Sequence, residues 1–338
     1  MSTIKDVAQL AGVSVSTVSR ALSNRVFVEE NTKRRVLEAV KTLNYHPSAM
    51  AKGLREGRTY VLALMIPDIN SLFYPELMKN AEKAASEKGY ALFLCNSNES
   101  LEKEKKTINM LAGRGIDGVI CMSVQDEINH LLSFEKETGI PVVLVNRNFP
   151  ERISCISSTD EQGGYLMTKY LLDKGHRKIA GVFGNFDMQR FRARYDGCKR
   201  ALEEYGVKDY KKYFIYDVSS IEEAYVRTKD MLLREDRPTA FFASMDILAI
   251  GVYRGIEEMG FRKPEDVSVV GYDNIFMTQY MNPPLTTYSV PIADLAKNAV
   301  NCVIEHIEGK KEKMHIVMEG EVAERNSVKN LNNWNGLM

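Results

Sequence analysis

Beyond residue 58 the chain alternates short runs of Val, Ile, Leu and Phe with longer segments of helical periodicity, and this alternation restricts the fold more than any other feature. The runs fall at Tyr60–Ile66, Ala91–Cys95, Gly118–Met122, Val142–Val145, Lys178–Phe183, Ala240–Ala243 and Val267–Gly271. Helical patterns such as Glu76–Lys88 and Gly163–Lys174 separate them. Short apolar runs between helices read as strands of parallel α/β sheets covered on both faces. The segment is longer than one such unit, so two lobes with a cleft between them are expected.

Ligands of open α/β sheets sit beyond the carboxyl ends of the strands, so the residues that follow the runs are the informative ones. They are Asp68, Phe73 and Tyr74; Ser123; Asn146 and Arg147; Arg190, Arg192 and Arg194; and Asp246 and Asp273. Aromatic faces, an amide and paired charges suit a small polar ligand with several hydroxyls, whose hydrogen bonds with water must be replaced on burial. Three arginines at alternate positions are costly near one another unless an anion is close. That points the ligand toward an acidic sugar or a sugar phosphate.

The first 58 residues carry a different pattern. Ile4, Val7, Ala8 and Ala11 make one apolar helical face, Thr3 with Asp6 can cap its start, and Gly12 ends it. Ser14 is a good cap for a second short helix, Val15 to Ser23, with Val18 and Leu22 inward. A third helix reads from about Thr32 to Asn44, with Val36, Val40 and Leu43 inward. Two short helices around a glycine turn fit a helix-turn-helix, whose second helix lies in the major groove. Val15, Ser16, Ser19 and Arg20 are then its exposed set, and Arg20 can present a bidentate fork to guanine. A small helical bundle with a capping Ser/Thr run fits the same spacing.

Charge distribution favours the first of these readings. The chain balances 45 Lys+Arg against 45 Asp+Glu, yet residues 1–58 hold ten basic and five acidic side chains. A basic head on an acidic body suits a module that meets a polyanion. The segment Ser48 to Arg58, which follows Pro47 and contains Gly53, is too short for a stable isolated helix and would order only against a partner.

Several classes are excluded. The five cysteines (Cys95, Cys121, Cys155, Cys198, Cys302) are scattered with no C-x-x-C and no pairing pattern, which fits reduced thiols in a cytoplasm and no metal site. The amino terminus lacks the basic start and apolar run of a secretory signal, and no apolar stretch approaches the ~20 residues of a membrane span. A periplasmic sugar receptor, which the body alone would fit, is disfavoured on these grounds. No G-x-G-x-x-G after a strand, P-loop or G-x-S-x-G elbow is present, and the histidines are dispersed, so an enzyme is not expected.

The words IKDVAQLAGVSVSTVSRALSN and RRVLEAVKTLNYHPSAMAKGL resemble the lactose-repressor/galactose-repressor family of bacterial transcription regulators. PDINSLFYPEL, DGVICMS, PVVLVNR, GGYLMTKYLLDKGHRKIA, RPTAFFASMDILAIGV, PEDVSVVGYDN and PPLTT extend the likeness over nearly the whole chain. The resemblance implies a helix-turn-helix head (1–46), a hinge (47–58) and a body like the type I periplasmic-binding-protein fold (59–328). It divides that body into an N-lobe of about 59–159 and 291–318 and a C-lobe of about 160–290 and 319–328; the tail, 329–338, has no periodicity and is expected to be flexible.

The residues expected to bind DNA are Thr3, Val15, Ser16, Thr17, Ser19, Arg20, Ser48, Ala51, Leu54 and Arg55, and the resemblance implies that Leu54 wedges into the minor groove of a near-palindromic double-stranded operator. The effector residues it implies are Phe73, Tyr74, Asn146, Arg147, Arg194, Asp246 and Asp273, to which strand-end position adds Ser123 and Arg192. No cofactor beyond a small-molecule effector is implied. Two departures, Thr159-Asp160 where many members have Asp-Asn and Met245 where some have asparagine, keep any one relative's effector from being transferred. The tail lacks leucine heptads, so a homodimer is expected. An inducer, a co-repressor, a purine or a protein co-effector all remain open.

Overall fold

The computed structural model describes residues 2–23, 27–45, 57–149 and 151–332. Contacts divide the chain into two units, Met1–Tyr60 and Val61–Met338.

The first unit holds α1 (Ile4–Ala11), α2 (Val15–Ser23) and α3 (Glu30–Thr42). Thr3 and Asp6 form a reciprocal capping box: the Thr3 N–H donates to Asp6 Oδ2 at 2.7 Å, and the Asp6 N–H to Thr3 Oγ1 at 3.4 Å. Gly12 takes the left-handed conformation that closes α1. Val7, Ala8 and Ala11 pack with Val18, Ala21, Val36 and Ala39 in a small core, with Val40 and Leu43 at its edge. The third helix begins two residues before the expected Thr32, because the acidic pair Glu29-Glu30 favours a helix amino end. It stops at Thr42, before Asn44 at φ 44°.

The second unit contains two six-stranded sheets. One has the order β11-β5-β4-β3-β1-β2 (His315–Met318, Ser154–Ser158, Val142–Val145, Gly118–Cys121, Val61–Ile66, Ala91–Asn96) and is parallel throughout. The other has the order β12-β10-β9-β8-β6-β7 (Glu321–Ala323, Thr286–Ser289, Ser268–Asp273, Ala240–Ala243, Ile179–Val182, Phe214–Ile215), with only β12 antiparallel. The chain therefore passes between the sheets after β5, after β10 and after β11. The helices are α4 (Tyr74–Glu87), α5 (Leu101–Ala112), α6 (Asn129–Thr138), α7 (Asp160–Asp173), α8 (Gln189–Glu204), α9 (Ile221–Leu232), α10 (Asp246–Glu258) and α11 (Ile292–Ile307). After the second passage, α11 packs against α4 and strands β3 to β5 of the first sheet.

Beside the second sheet, α7 and α8 meet through glycines. A Cβ on Gly197 would lie 1.9 Å from the Glu161 carbonyl oxygen, and one on Gly164 would lie 2.1 Å from that of Arg194. Only residues without side chains allow this approach.

The expected tail differs in its first part. The Lys329 N–H donates to Ser268 Oγ (3.0 Å), the Leu331 N–H to the Lys174 carbonyl (2.7 Å) and the Asn332 amide to the Asp173 carbonyl (2.6 Å). Residues 329–332 are thus pinned to the second lobe by backbone and side-chain hydrogen bonds that a composition of Asn and Lys does not reveal. All five cysteines are free and buried. Among the described residues no helix is long and apolar enough to cross a membrane.

Candidate functional site

In the first unit, Ser14 organises the start of α2. The Thr17 N–H donates to Ser14 Oγ at 3.2 Å, and that oxygen lies 2.8 Å from both Ser16 Oγ and Thr17 Oγ1. Thr17 is half-buried with its hydroxyl in the cap, and the Thr3 hydroxyl is held by Asp6 Oδ2 at 2.9 Å. These hydrogen bonds hold the Asp6 carboxyl below its ordinary range. Val15, 41% exposed, Ser16 and Arg20 face solvent, and Ser19 is half-buried beside them. The helix thus presents an apolar, a hydroxyl and a cationic side chain on its open side. Ser48, Ala51, Leu54 and Arg55 lie outside the described residues.

In the second unit a narrow cavity opens at the carboxyl ends of the strands. Phe73, Tyr74, Asn146, Arg190, Arg194 and Asp273 line it, together with the apolar side chains of Met245, Ile247 and Ile275. Phe73 and Tyr74 meet edge to face, with ring centroids 5.5 Å apart. Arg194 is buried yet connects three elements: Nε donates to Asp160 Oδ1 (2.8 Å), Nη1 donates to the Ser244 carbonyl (2.5 Å), and Nη1 lies 3.5 Å from Asp273 Oδ1. Its guanidinium also stacks 3.6 Å from the Tyr272 ring centroid. The glycine contacts between α7 and α8 allow this seating, since Arg194 lies on the close-packed face of α8.

Two strand-end residues in the cavity are backbone outliers, Asn146 at φ 56° and Asp273 at φ 115°. Non-glycine residues at such angles mark functional sites more often than elsewhere. Burial pushes the Asp273 carboxyl up to about 7 against the pull of Arg194 and Arg190, so this oxygen pair can accept or donate near neutral pH.

Three expected effector residues sit elsewhere. Asp246 is fully buried; its Oδ2 accepts from the Ile275 N–H (2.9 Å) and its Oδ1 from the Thr287 hydroxyl (2.7 Å). It is a brace beneath the cavity wall, and burial followed by the Asp273 charge raises its carboxyl well above the usual range. Ser123 donates to Glu104 Oε1 at 2.8 Å, and Glu104 also accepts from the Val124 N–H (2.7 Å) and pairs with His130 Nε2 (2.8 Å). Arg192 pairs with Asp126 at 3.0 Å, and the same carboxylate accepts from the Gln189 N–H at 2.6 Å. Arg192 therefore ties α8 to the loop after β3, joining the lobes from outside the cavity. The three alternate arginines diverge because they lie on a helix, where i and i+4 share a face and i+2 does not.

Arg147 opens onto a second, larger cavity of about 340 Å³, lined by Asn146, Arg147, Ser157, Ser158, Asp160 and Arg190 among others. Asn146 and Arg190 are the wall shared by the two cavities. Arg147 is buried; Nη1 donates to the Asn146 carbonyl at 2.8 Å and Nη2 to that of Ser123. Burial first and Arg190 second push its guanidinium down to about 10. Sequence reasoning missed Ser157, Ser158, Met245, Ile247 and Ile275 as lining residues; the last three follow strands β8 and β9, where the strand-end rule reaches them, whereas Ser157 and Ser158 end β5, a strand without an apolar signal.

Residues 3–48 match the family "Bacterial regulatory proteins, lacI family", and residues 168–328 match a "Periplasmic binding protein-like domain". The HTH-type transcriptional repressor PurR of Vibrio atlanticus is 38% identical over 337 residues, 98% of this chain and 100% of that protein. A lacI-family regulator of Enterococcus faecium with bound ribose superposes with a TM-score of 0.73 at 29% identity, over 80% of this chain and 99% of the other. The lac repressor dimer bound to operator and the anti-inducer ONPF has the same fold, with a TM-score of 0.88 at 24% identity over 97% and 99% of the two chains. These are regulators and not enzymes. With a capped helix-turn-helix, a two-lobed body and a relative that matches along essentially its full length, the chain belongs to the lacI family of bacterial regulatory proteins.

Proposed function

We propose that this protein is a dimeric, cytoplasmic repressor of a carbohydrate-utilisation operon, controlled by a small sugar-like or acidic-sugar effector. The observation that carries the reading is the pairing of an exposed Val15/Ser16/Arg20 face in one unit with a polar cleft between two lobes in the other. Val15, Ser16, Ser19 and Arg20 read each major-groove half-site, and Leu54 with Arg55, Ser48 and Ala51 enters the central minor groove. Effector and DNA then bias one equilibrium between lobe arrangements, so each changes the affinity of the other.

A second copy of the chain accounts for the exposed apolar surface of the body. Strand β2 is the edge of its sheet, with Phe93 48% exposed and Leu94 beside it, and Phe276 and Tyr280 are exposed on the other lobe. Apolar edge strands are normally covered in a stable assembly.

The cleft supports a sugar through Asp273, Arg194 and Asn146 and an aromatic platform at Phe73. The same apolar walls, Phe73 with Ile247 and Ile275, favour a flat purine as the second reading. The experiment is operator selection from random duplexes by the full chain, followed by a thermal-shift panel of neutral sugars, sugar phosphates, sugar acids and purines. A near-palindromic operator and a ligand whose stabilisation disappears in Asp273→Asn support the reading. Unselective DNA binding contradicts it.

A further inference from the structure

The charges around the larger cavity do not balance locally. Asp160 is held by Arg194 at 2.8 Å, Glu161 by Arg200 at 2.5 Å and Asp126 by Arg192 at 3.0 Å. Arg147 Nε stands 3.9 Å from Asp126 Oδ1, which already serves Arg192, and makes no hydrogen bond. Arg190 has no carboxylate within ion-pair distance among the described residues; its guanidinium rests 4.7 Å from the Phe191 ring centroid. Two guanidiniums thus border one space, buried Arg147 sharing its one distant carboxylate with Arg192 and Arg190 with none in ion-pair range among the described residues.

Unpartnered neutral polar atoms belong to residues of the same lining. Asn146 Oδ1, Ser157 Oγ and Ser158 Oγ are buried without a hydrogen-bond partner, on residues that line the cavity. Leaving a buried polar group unpaired is costly, and more so for a charged one, so these three atoms together with Arg147 Nε, all on residues that line the cavity, call for a polar occupant. Hydroxyl donors beside two guanidiniums match a carboxylate or phosphate. The shared wall of Asn146 and Arg190 lets one molecule place its anionic end here and its hydroxyls against Asp273 and Arg194 in the neighbouring cavity.

We propose that the larger cavity is an anion subsite and that the effector is an anionic sugar derivative, its charged group held by Arg147 and Arg190 and by the hydroxyls of Ser157 and Ser158. This rests on the reading of the cleft as the effector site. It also explains why Arg190 is left unpaired while its neighbours Arg192 and Arg194 are both engaged.

The test uses the full chain and begins with inorganic phosphate, which needs no knowledge of the effector. At equal ionic strength, saturating phosphate should raise the melting temperature above that in chloride by roughly 2–4 °C or more. Arg190→Gln should abolish that rise without lowering the melting temperature in chloride, because it relieves the repulsion with Arg147. A panel of sugar phosphates, sugar acids and their neutral parents is then titrated. An anionic member should bind at least tenfold more tightly than its parent, and Arg190→Gln and the Ser157→Ala/Ser158→Ala pair should each erase the preference. Phosphate and carboxylate members distinguish the two sources of charge.

An equal phosphate effect in wild type and Arg190→Gln means an adventitious ion only and overturns the proposal. So does a neutral sugar that binds as well as its anionic derivatives; if that binding still needs Asp273, the cleft reading stands while the anion subsite falls. No response to any member, charged or neutral, overturns both.

Discussion

A methyl group on Gly164 would sit 2.1 Å from the carbonyl oxygen of Arg194, a distance no Cβ can hold. Helices α7 and α8 therefore meet backbone to backbone at the residue whose side chain connects Asp160, Ser244 and Asp273. Gly164→Ala must push the helices apart. The expected outcome is a loss of ~1–3 kcal/mol in urea unfolding, together with weaker effector binding as Arg194 shifts. Unfolding curves and ligand titration on the same variant check both parts.

His176 predicts an acid-sensitive body. Its ring is buried between Thr239 Oγ1 (2.9 Å) and the Lys329 carbonyl (3.1 Å), and burial pushes it down to about 4. The unfolded chain binds this proton near 6.5 and the folded chain only near 4. The stability is therefore complete above pH 6.5 and falls as pH drops toward 4, by up to about 1.4 kcal/mol per pH unit. Relative to wild type, His176→Gln should lack this slope in melts recorded between pH 4 and 6.5.

Asp273 contributes with the opposite sign. Its carboxyl, pushed up to about 7, keeps its proton in the folded state while the unfolded chain releases it near 3.8. Stability through this group is full below pH 3.8 and declines as pH rises toward 7. Asp273→Asn should remove that decline and also weaken effector binding at least tenfold. Parallel melts and titrations of variant and wild type show whether the two effects come together.

Arg20 reads bases in this account. Arg20→Ala should weaken binding to the selected operator by ~1–3 kcal/mol and relax preference at one half-site position. Binding to unrelated duplex should change less. Fluorescence anisotropy on operator and mismatched operators measures the difference.

The sequence alone revealed much of this arrangement, for identifiable reasons. The Thr3–Asp6 box and Gly12 were legible because caps and left-handed stops depend on single residue types at fixed spacing. Strands such as VVLV were legible because they are apolar. Strands β5 and β10, SCISS and TTYS, were not, since their serines and threonines are buried by their surroundings and carry no apolar signal. Strand-end position found Asp273 and Asp246 alike, but only the fold decides which carboxylate faces the cavity; Asp246 turns back to the Ile275 N–H. Treating Arg190, Arg192 and Arg194 as one cluster overlooked that α8 begins at Gln189 and sends Arg192 to another face.

In the proposed function a ligand in the cleft sets the affinity of the head for DNA. The most direct measurement is anisotropy titration of the full chain on its selected operator, with and without saturating effector. The account predicts a change in operator affinity of about 5- to 150-fold, in either direction, mirrored by the same factor in effector affinity when operator is added. An effector that binds in the cleft yet leaves operator affinity unchanged would contradict it.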